Sequence, residues 1–492
     1  MDNKEHQVKN TFIYLLPVII GNALPLISLP IFTRILTRED FGLLALVQIY
    51  AIFASGLANF GMTAAYDRNY FQYRSDNRQT AQLLYSTILF VLLNFVFLAV
   101  LTYIFKETLA RFVTGSYLYG NLLFFSFCGQ FFFSISYYYL SFFKNSGTAK
   151  RFTFYTLFIS FTNFAISLFL IVYIRTGVIG LVYSQLFSGM MIFCVLSYKF
   201  SKKFKPSFNK LIFFESLKIS YPLTPRIFFG VISTQFDKYM IGLLTSAGGV
   251  GIYSIGQKVA NIIFVFMTAV QNVFSPQVYK KMFDDRGKNR EKNPESLGQY
   301  LTPFAYIVIS VALVIALFAE EIVFILTPPA FHGAIDIIII LSMFYGFLFF
   351  GKLNGNQLIF MKKTHVTSFL SMMNIALNVG LNIPFIMKWG AVGAAWGTLL
   401  AGLLSGAISF AVSQHYYEIK WEYKKVGAVF SIFFLSAILM IILRSVSTGY
   451  EVKIFVKLTA LILYCILGVK LKVISMENVM LIKNMVVLRR SS

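Results

Sequence analysis

Long apolar runs follow one another along almost the whole chain, separated by short segments that carry most of the lysines and arginines. A membrane-spanning helix needs roughly 20 mostly apolar residues, and about fourteen runs reach this length. The runs are 11–32, 41–66, 83–105, 118–143, 152–174, 177–198, 218–243, 249–274, 300–326, 335–360, 367–387, 390–413, 426–443 and 454–471. The pattern predicts an all-α polytopic membrane protein with about 14 transmembrane helices.

The connections between these runs are too short to fold on their own. The longest, near 199–217 and 275–299, hold about 20–25 residues, whereas a domain usually needs about 50 or more. The sequence also lacks the GxxxxGK[ST] pattern of a phosphate-binding loop. It therefore predicts a protein that works inside the bilayer and has neither a soluble catalytic domain nor a nucleotide-binding domain.

Two segments of the chain recur at an interval of about 210 residues. The segment 36–48 matches 244–257 with one inserted residue, and 175–189 matches 388–402 without a gap. In the first match Thr37 aligns with Thr245, Gly42 with Gly251 and Gln48 with Gln257. Repeats in the same orientation build transporters with a central cavity between two lobes.

The repeat predicts how the helices divide into lobes. Helices 1–6 form an amino-terminal lobe over residues 1–210, and helices 7–12 form a carboxy-terminal lobe over 211–420. Residues 421–492 then hold two extra helices, 13 and 14, and a cytoplasmic tail. The predicted fold is thus two six-helix lobes, related as parallel repeats, plus two extra carboxy-terminal helices.

The positions of the basic residues along the chain indicate how the helices are oriented in the membrane. The net charge of +23 would indicate nucleic acid in a soluble protein, but only 13% of residues are charged and 57% are hydrophobic. With the amino terminus in the cytoplasm, about 30 basic residues fall on the cytoplasmic side and about 8 on the outer side. This asymmetry predicts that both termini are cytoplasmic and that nucleic acid is not a partner.

Ionisable residues inside the apolar runs are the candidates for chemistry. A charge at the bilayer centre costs at least roughly 2.5–3.5 kcal/mol, so such residues are expected to face a cavity or a partner. The four histidines show no metal-ligand spacing. The candidates are Arg226, Asp237, Lys238, Lys258 and Lys352, with Glu320 and Glu321 nearer a helix end.

The candidate cations fall at two depths along their helices. Arg226 and Lys352 share the inner half, whereas Lys238 and Lys258 share the outer half with Asp237. Arg and Lys side chains can bind an anionic group that leaves water, so the functional interpretation is a cavity wall with cationic groups at two depths.

A structural interpretation stands beside the functional one. In it, Asp237 pairs with Lys258 to hold two helices together, and Lys238 extends to the outer interface. Glu320 and Glu321 are expected to mark a solvated helix end, with proton coupling as the alternative. The basic loops are expected to rest on anionic lipid.

Three segments resemble one family of transporters. They are PIFTRILTREDFGLLAL (Pro30–Leu46), FDKYMIGLLTSAGGVGIYSIGQK (Phe236–Lys258) and GAVGAAWGT (Gly390–Thr398). They resemble polysaccharide-export flippases of the multidrug/oligosaccharidyl-lipid/polysaccharide (MOP) exporter superfamily, above all the O-antigen and exopolysaccharide repeat-unit flippases of the Wzx type.

The resemblance implies a V-shaped two-lobe fold and a function. Such flippases move an undecaprenyl-diphosphate-linked oligosaccharide from the cytoplasmic to the outer, periplasmic leaflet of a bacterial inner membrane by alternating access. No cofactor is expected, and coupling to an H⁺ or Na⁺ gradient is left open. The expected partners are the lipid-linked glycan, membrane lipid, a polysaccharide polymerase and a chain-length regulator.

Three other functions stay open at this point. A cation-coupled multidrug antiporter of the same superfamily usually has twelve helices and an acidic residue in its amino-terminal lobe, but 11–32 contains no acid. A flippase for lipid II, the peptidoglycan precursor, would need the same cavity cations. A polysaccharide polymerase or another membrane enzyme would need a large outer loop or a soluble catalytic portion, which the sequence lacks.

Overall fold

A computed structural model describes residues 2–286, 296–446 and 448–473, and within them all regular secondary structure is helical. Each apolar run predicted from the sequence coincides with one described helix, with part of one, or with two in succession. The α-helices are α1 (Asp2–Phe32), α2 (Arg38–Asn59), α3 (Met62–Tyr73), α4 (Asn77–Ile104), α5 (Lys106–Thr114), α6 (Gly120–Asn145), α7 (Ala149–Leu168), α8 (Val178–Lys203), α9 (Lys210–Ser220), α10 (Thr224–Leu244), α11 (Ala247–Arg286), α12 (Leu297–Leu317), α13 (Ala319–Leu326), α14 (Ala334–Phe360), α15 (Thr364–Tyr416), α16 (Tyr423–Ser445) and α17 (Tyr450–Lys470).

Eleven helices within the described residues are long and apolar enough to cross a membrane. The longest, α15, has 53 residues. As one straight helix it would extend about 80 Å, well beyond the roughly 30 Å of a hydrocarbon core. Its backbone breaks at Gly390, where φ is 57°, so two segments meet where the sequence predicted two helices. The all-α polytopic fold is confirmed, and the count of fourteen spans stays a prediction.

The run 218–243 is interrupted near its start. The helix α9 ends at Ser220, a single 3-10 turn covers Tyr221–Leu223, and α10 begins at Thr224. Pro222 and Pro225 lie at this break, where proline cannot donate a backbone hydrogen bond to the preceding turn. The break separates α9 from α10, which carries Arg226, Asp237 and Lys238.

Packing divides the chain into two units, Met1–Gly251 and Ile252–Ser491. In the first unit α6 packs against α2, α4 and α8 and buries aromatic side chains, among them Phe127, Phe131 and Tyr138. In the second unit α14 packs against α12, α15 and α16 and is buried along most of its length. Many phenylalanines are therefore part of a buried core. The lobe boundaries at 210 and 420 came from the repeat, and they stay a prediction.

Two glycines of the repeat meet in the first unit, where the amino-terminal turns of α2 and α11 cross. A Cβ atom at Gly42 would overlap the backbone carbonyl of Ala247, and one at Gly251 would overlap that of Arg38. Both contacts are with backbone, which cannot rotate away as a side chain can. The two positions paired by the sequence repeat thus make reciprocal contacts that only glycine permits.

Candidate functional site

The predicted site residues are distributed over both units. Arg226, Asp237 and Lys238 lie on α10 in the first unit, and Lys258 and Lys352 lie on α11 and α14 in the second. The side chain of Arg226 is outside the described residues. An ion pair of Asp237 with Lys258 would join different units, so it stays a prediction, as does the common depth of Arg226 and Lys352.

The carboxy-terminal half of α10 holds Asp237 and Lys238 in a packed environment. Asp237 is buried, and Lys238 is half-buried with its Nζ donating to Gln235 Oε1 at 3.4 Å. The neighbouring Tyr239 ring lies 6.0 Å from that of Phe112 on α5. Extension of Lys238 to the outer interface stays a prediction.

A cavity of about 250 Å³ lies within the second unit, between α14 and the two segments of α15. Lys352 lines it from α14 and is exposed, with its Nζ 5.4 Å from the centre of the Phe264 ring. Among the described side chains no carboxylate forms an ion pair with Lys352. A Cβ added at the neighbouring Gly355 would meet no atom within 4 Å, so this glycine leaves space open.

Uncharged polar groups continue from this cavity along α15. Asn374 accepts a hydrogen bond from Ser405 Oγ at 2.9 Å. Farther along, Asn378 donates to Thr398 Oγ1 at 3.4 Å, and Asn382 donates to Asn378 at 3.1 Å. Buried amides need such partners where water is absent. The sequence analysis did not single out these asparagines, although their spacing of four residues places them on one helix face.

Glu320 and Glu321 require a correction. The sequence predicted a solvated helix end, but Glu320 is only 8% exposed and pairs with Lys453 of α17 at 3.0 Å. Glu321 pairs with Lys457 of α17 at 2.5 Å and also accepts a hydrogen bond from Tyr450. The expectation of a solvated end is wrong because Lys453 and Lys457 of α17 reach both carboxylates and pair with them.

The sequence did not indicate that Lys453 and Lys457 of α17 are the partners of Glu320 and Glu321. Lys457 is 1% exposed, and Lys453 lies four residues before it on the same helix face. A third pair joins Arg444 of α16 to Asp336 of α14 at 2.5 Å. Together these pairs tie the two carboxy-terminal helices to α13 and α14.

The first unit carries its own polar cluster where α3 packs against α6 and α9. Asp67 accepts hydrogen bonds from Ser141, from Lys144 and from Asn145. Glu215 of α9 accepts one from the Tyr73 hydroxyl, and this bond lowers the pKa of the Glu215 carboxyl. Burial, and then Glu215, raise the pKa of Tyr73 to about 12. The Asp67 and Glu215 carboxylates thus both have hydrogen-bond partners inside the cluster, which indicates a structural role.

The described residues contain no group of three His, Cys, Asp or Glu side chains arranged to hold a metal ion. The candidate ligand-binding groups in the apolar helices are therefore the lysine and arginine cations and the asparagine amides. Of these, Lys352 lines a cavity and has no acidic partner among the described residues. Hydrogen-bonding side chains lie in the same cavity wall.

Comparison with known proteins gives a family match over more than half of the chain. A family model described as "Polysaccharide biosynthesis protein" matches residues 7–279. The probable low-salt glycan biosynthesis flippase Agl15 of Haloferax volcanii is 25% identical over 199 residues. These residues are 40% of this chain and 41% of that protein, so the match spans less than half of the curated relative.

Solved structures of low sequence identity share the fold. The lipid II flippase MurJ, in an inward closed conformation, has a TM-score of 0.66 at 18% identity, covering 94% of this chain and 99% of that chain. An inward-facing multidrug resistance MATE transporter of the MOP superfamily has a TM-score of 0.62 at 16% identity, covering 82% of this chain and 97% of that chain. The chain thus has the fold of that superfamily.

Proposed function

We propose that this chain, which belongs to the family of polysaccharide biosynthesis proteins, is a flippase for lipid-linked glycan precursors and not an enzyme. Lys352 carries the proposal: it is an exposed cation on a cavity between apolar helices whose lining also carries an amide and hydroxyl groups, and no described carboxylate pairs with it. A precursor that crosses a bilayer must bring its charged and hydroxylated part through a low-dielectric region. A cavity of this chemistry supports such a passage.

The substrate we propose is an undecaprenyl-diphosphate-linked oligosaccharide repeat unit of an O-antigen or exopolysaccharide. Its transfer would run from the cytoplasmic to the periplasmic leaflet of a bacterial inner membrane by alternating access. The excess of basic residues in the predicted cytoplasmic loops supports this orientation, with both termini inside.

Cationic side chains would hold the diphosphate at two depths. Arg226 and Lys352 would receive it from the cytoplasmic side, and Lys258 with Lys238 would hold it before release. Asp237 would weaken that outer hold by partly neutralising it.

Coupling and partners complete the proposal. Glu320 and Glu321 would take part in coupling to an H⁺ or Na⁺ gradient only by releasing Lys453 and Lys457, their present partners. A polysaccharide polymerase and a chain-length regulator would act on the unit after transfer, because a flipped repeat unit must still be joined to others.

Deletion of the gene is expected to abolish one surface polysaccharide while its lipid-linked repeat unit accumulates at the cytoplasmic face. The reason is that synthesis of the unit continues when its transfer stops. Mass spectrometry of extracted lipids, combined with accessibility of the glycan to an external lectin in intact cells, measures both quantities.

The same strain separates the alternative functions. A single unpolymerised unit at the outer face would indicate a polymerase, and unchanged polysaccharide with raised drug sensitivity would indicate an antiporter. Accumulation of lipid II would indicate the peptidoglycan precursor as substrate. The first two results contradict the proposed flippase function, and the third contradicts the proposed O-antigen or exopolysaccharide substrate.

The double substitution of Arg226→Ala and Lys352→Ala is expected to lower transport about 100-fold or more, since each cation contributes about 1.5–3 kcal/mol of charge-assisted hydrogen bonding. Charge should matter more than shape, so Arg226→Lys should retain more activity than Arg226→Gln. Complementation of the deletion strain, with membrane protein levels measured in parallel, checks this.

The matched control is Lys388→Ala. Lys388 is exposed beside Trp389, outside the cavity. It should complement fully. Full activity of the double variant at normal expression would rule out the inner diphosphate site.

A further inference from the structure

The walls of the cavity in the second unit differ in chemistry. From α14 come two aromatic rings, Phe344 and Phe347, and the Lys352 ammonium. From α15 come an amide and several hydroxyl groups, and no carboxylate lines the cavity. The groups from α15 are Thr367, Ser371, Asn374, Ser405 and Ser409.

The hydrogen bonds inside the protein leave both donors and acceptors available to a ligand. Ser405 uses its hydroxyl hydrogen on Asn374 Oδ1, and Ser371 uses its own on the Thr367 carbonyl. Both hydroxyl oxygens keep lone pairs that can accept. Among the described residues no hydrogen bond uses the Asn374 Nδ2 group, which carries two donors. The wall thus offers the Asn374 amide as a donor and serine oxygens as acceptors.

This mixture favours one ligand class. A diphosphate presents only acceptors, so it would leave the serine lone pairs unmatched, and unmatched polar groups cost free energy when water is excluded. A sugar ring presents hydroxyl groups that donate and accept, and a C–H face that can pack on an aromatic ring. We propose that this cavity is a saccharide subsite, which binds the sugar next to the diphosphate of the lipid-linked glycan. The proposal rests on the proposed function.

The position of Lys352 agrees with this arrangement. Lys352 is exposed, whereas Ser405 is 8% exposed and lies deeper in the wall. The ammonium near the opening would hold the phosphate that adjoins the sugar, and the neutral groups would hold the ring. A volume of about 250 Å³ is slightly below the roughly 300–1,000 Å³ of drug-sized ligand sites, which suits one ring and not a whole oligosaccharide.

Glycines on α14 and α15 determine how much room the cavity has. A Cβ at Gly402 or Gly406 would collide with the Phe344 or Phe347 ring, so these glycines let the rings lie close to α15. Gly355, in contrast, lines the cavity, and a Cβ there would meet no atom within 4 Å, so a larger side chain would extend into the cavity. Gly355→Leu is therefore a way to remove the cavity while the helix is kept.

The test compares two lipids on purified full-length protein in nanodiscs. One is undecaprenyl diphosphate without sugar, and the other is the lipid-linked repeat unit extracted from the deletion strain. Wild-type protein is expected to bind the second about 10-fold more tightly, the value of one or two hydrogen bonds plus ring packing. Asn374→Leu and Gly355→Leu should lose this preference and keep their affinity for undecaprenyl diphosphate, whereas Lys352→Ala should weaken both.

Gly427→Leu is the matched control, because Gly427 is exposed on α16 and a Cβ there also meets no atom. It should keep the 10-fold preference. The saccharide subsite is overturned if the preference survives in both Asn374→Leu and Gly355→Leu, or if wild type binds the two lipids equally. Binding of neither lipid by wild type would instead overturn the proposed function. A thermal unfolding midpoint for each variant separates lost binding from lost folding.

Discussion

Lys457→Ala is expected to destabilise the folded protein by about 3 kcal/mol, because it leaves the half-buried Glu321 carboxylate without its cation. The Lys457 side chain is 1% exposed, and its ammonium lies 2.5 Å from Glu321 Oε1. The other oxygen, Glu321 Oε2, is buried and has no hydrogen-bond partner among the described residues. The Tyr450 hydroxyl and a backbone hydrogen bond would remain at the Glu321 carboxylate, and neither carries a positive charge. The thermal unfolding midpoint of purified protein measures the loss.

Two controls decide whether the ion pair or the packing is responsible. Glu321→Gln combined with Lys457→Met removes both charges and should recover most of the lost stability. Arg38→Ala removes an exposed ion pair with Glu39 and should change stability by at most about 1 kcal/mol. A Lys457→Ala midpoint equal to that of Arg38→Ala would mean that this pair does not fasten α17 to α13.

The membrane helices could be predicted because each is a run of apolar residues long enough to span a bilayer. Breaks inside a run were harder to find. The run 41–66 contains the end of α2 and the start of α3, with Gly61 at φ 74° between them. Run length does not report such a turn, since glycine is common in membrane helices. Pro222 and Pro225, by contrast, indicated the break before α10.

The candidate site was predictable where a charge interrupts an apolar run. Lys352 stood out for this reason, and the structure places it on a cavity. The neutral part of that cavity was missed, because serine and asparagine in a membrane helix carry little cost when they pair across helices. The partner of Glu320 was missed for another reason: Lys453 is 133 residues away along the chain, and its proximity is a property of the fold.

Gly42→Val is expected to destabilise the protein by more than about 3 kcal/mol, since the added atoms overlap backbone that cannot move aside. A Cβ at Gly42 would lie against the Ala247 carbonyl, and its nearest remaining neighbour is the Gly251 amide. Within the first unit, the amino-terminal turns of the two helices would have to separate. Gly251→Val should have the same effect, because its Cβ would overlap the Arg38 carbonyl. Thermal unfolding and the yield of monodisperse protein measure both.

The size of this effect is judged against a glycine in open space. Valine at Gly427, exposed on α16, meets no neighbour and should leave stability unchanged or raise it by about 0.5 kcal/mol, since valine forms helix better than glycine. The contrast isolates the backbone contact from helix propensity. A Gly42→Val protein that unfolds with the midpoint of Gly427→Val would contradict the close contact between the first turns of the two helices. Equal losses at Gly42 and Gly251 would instead support the pairing of these positions by the sequence repeat.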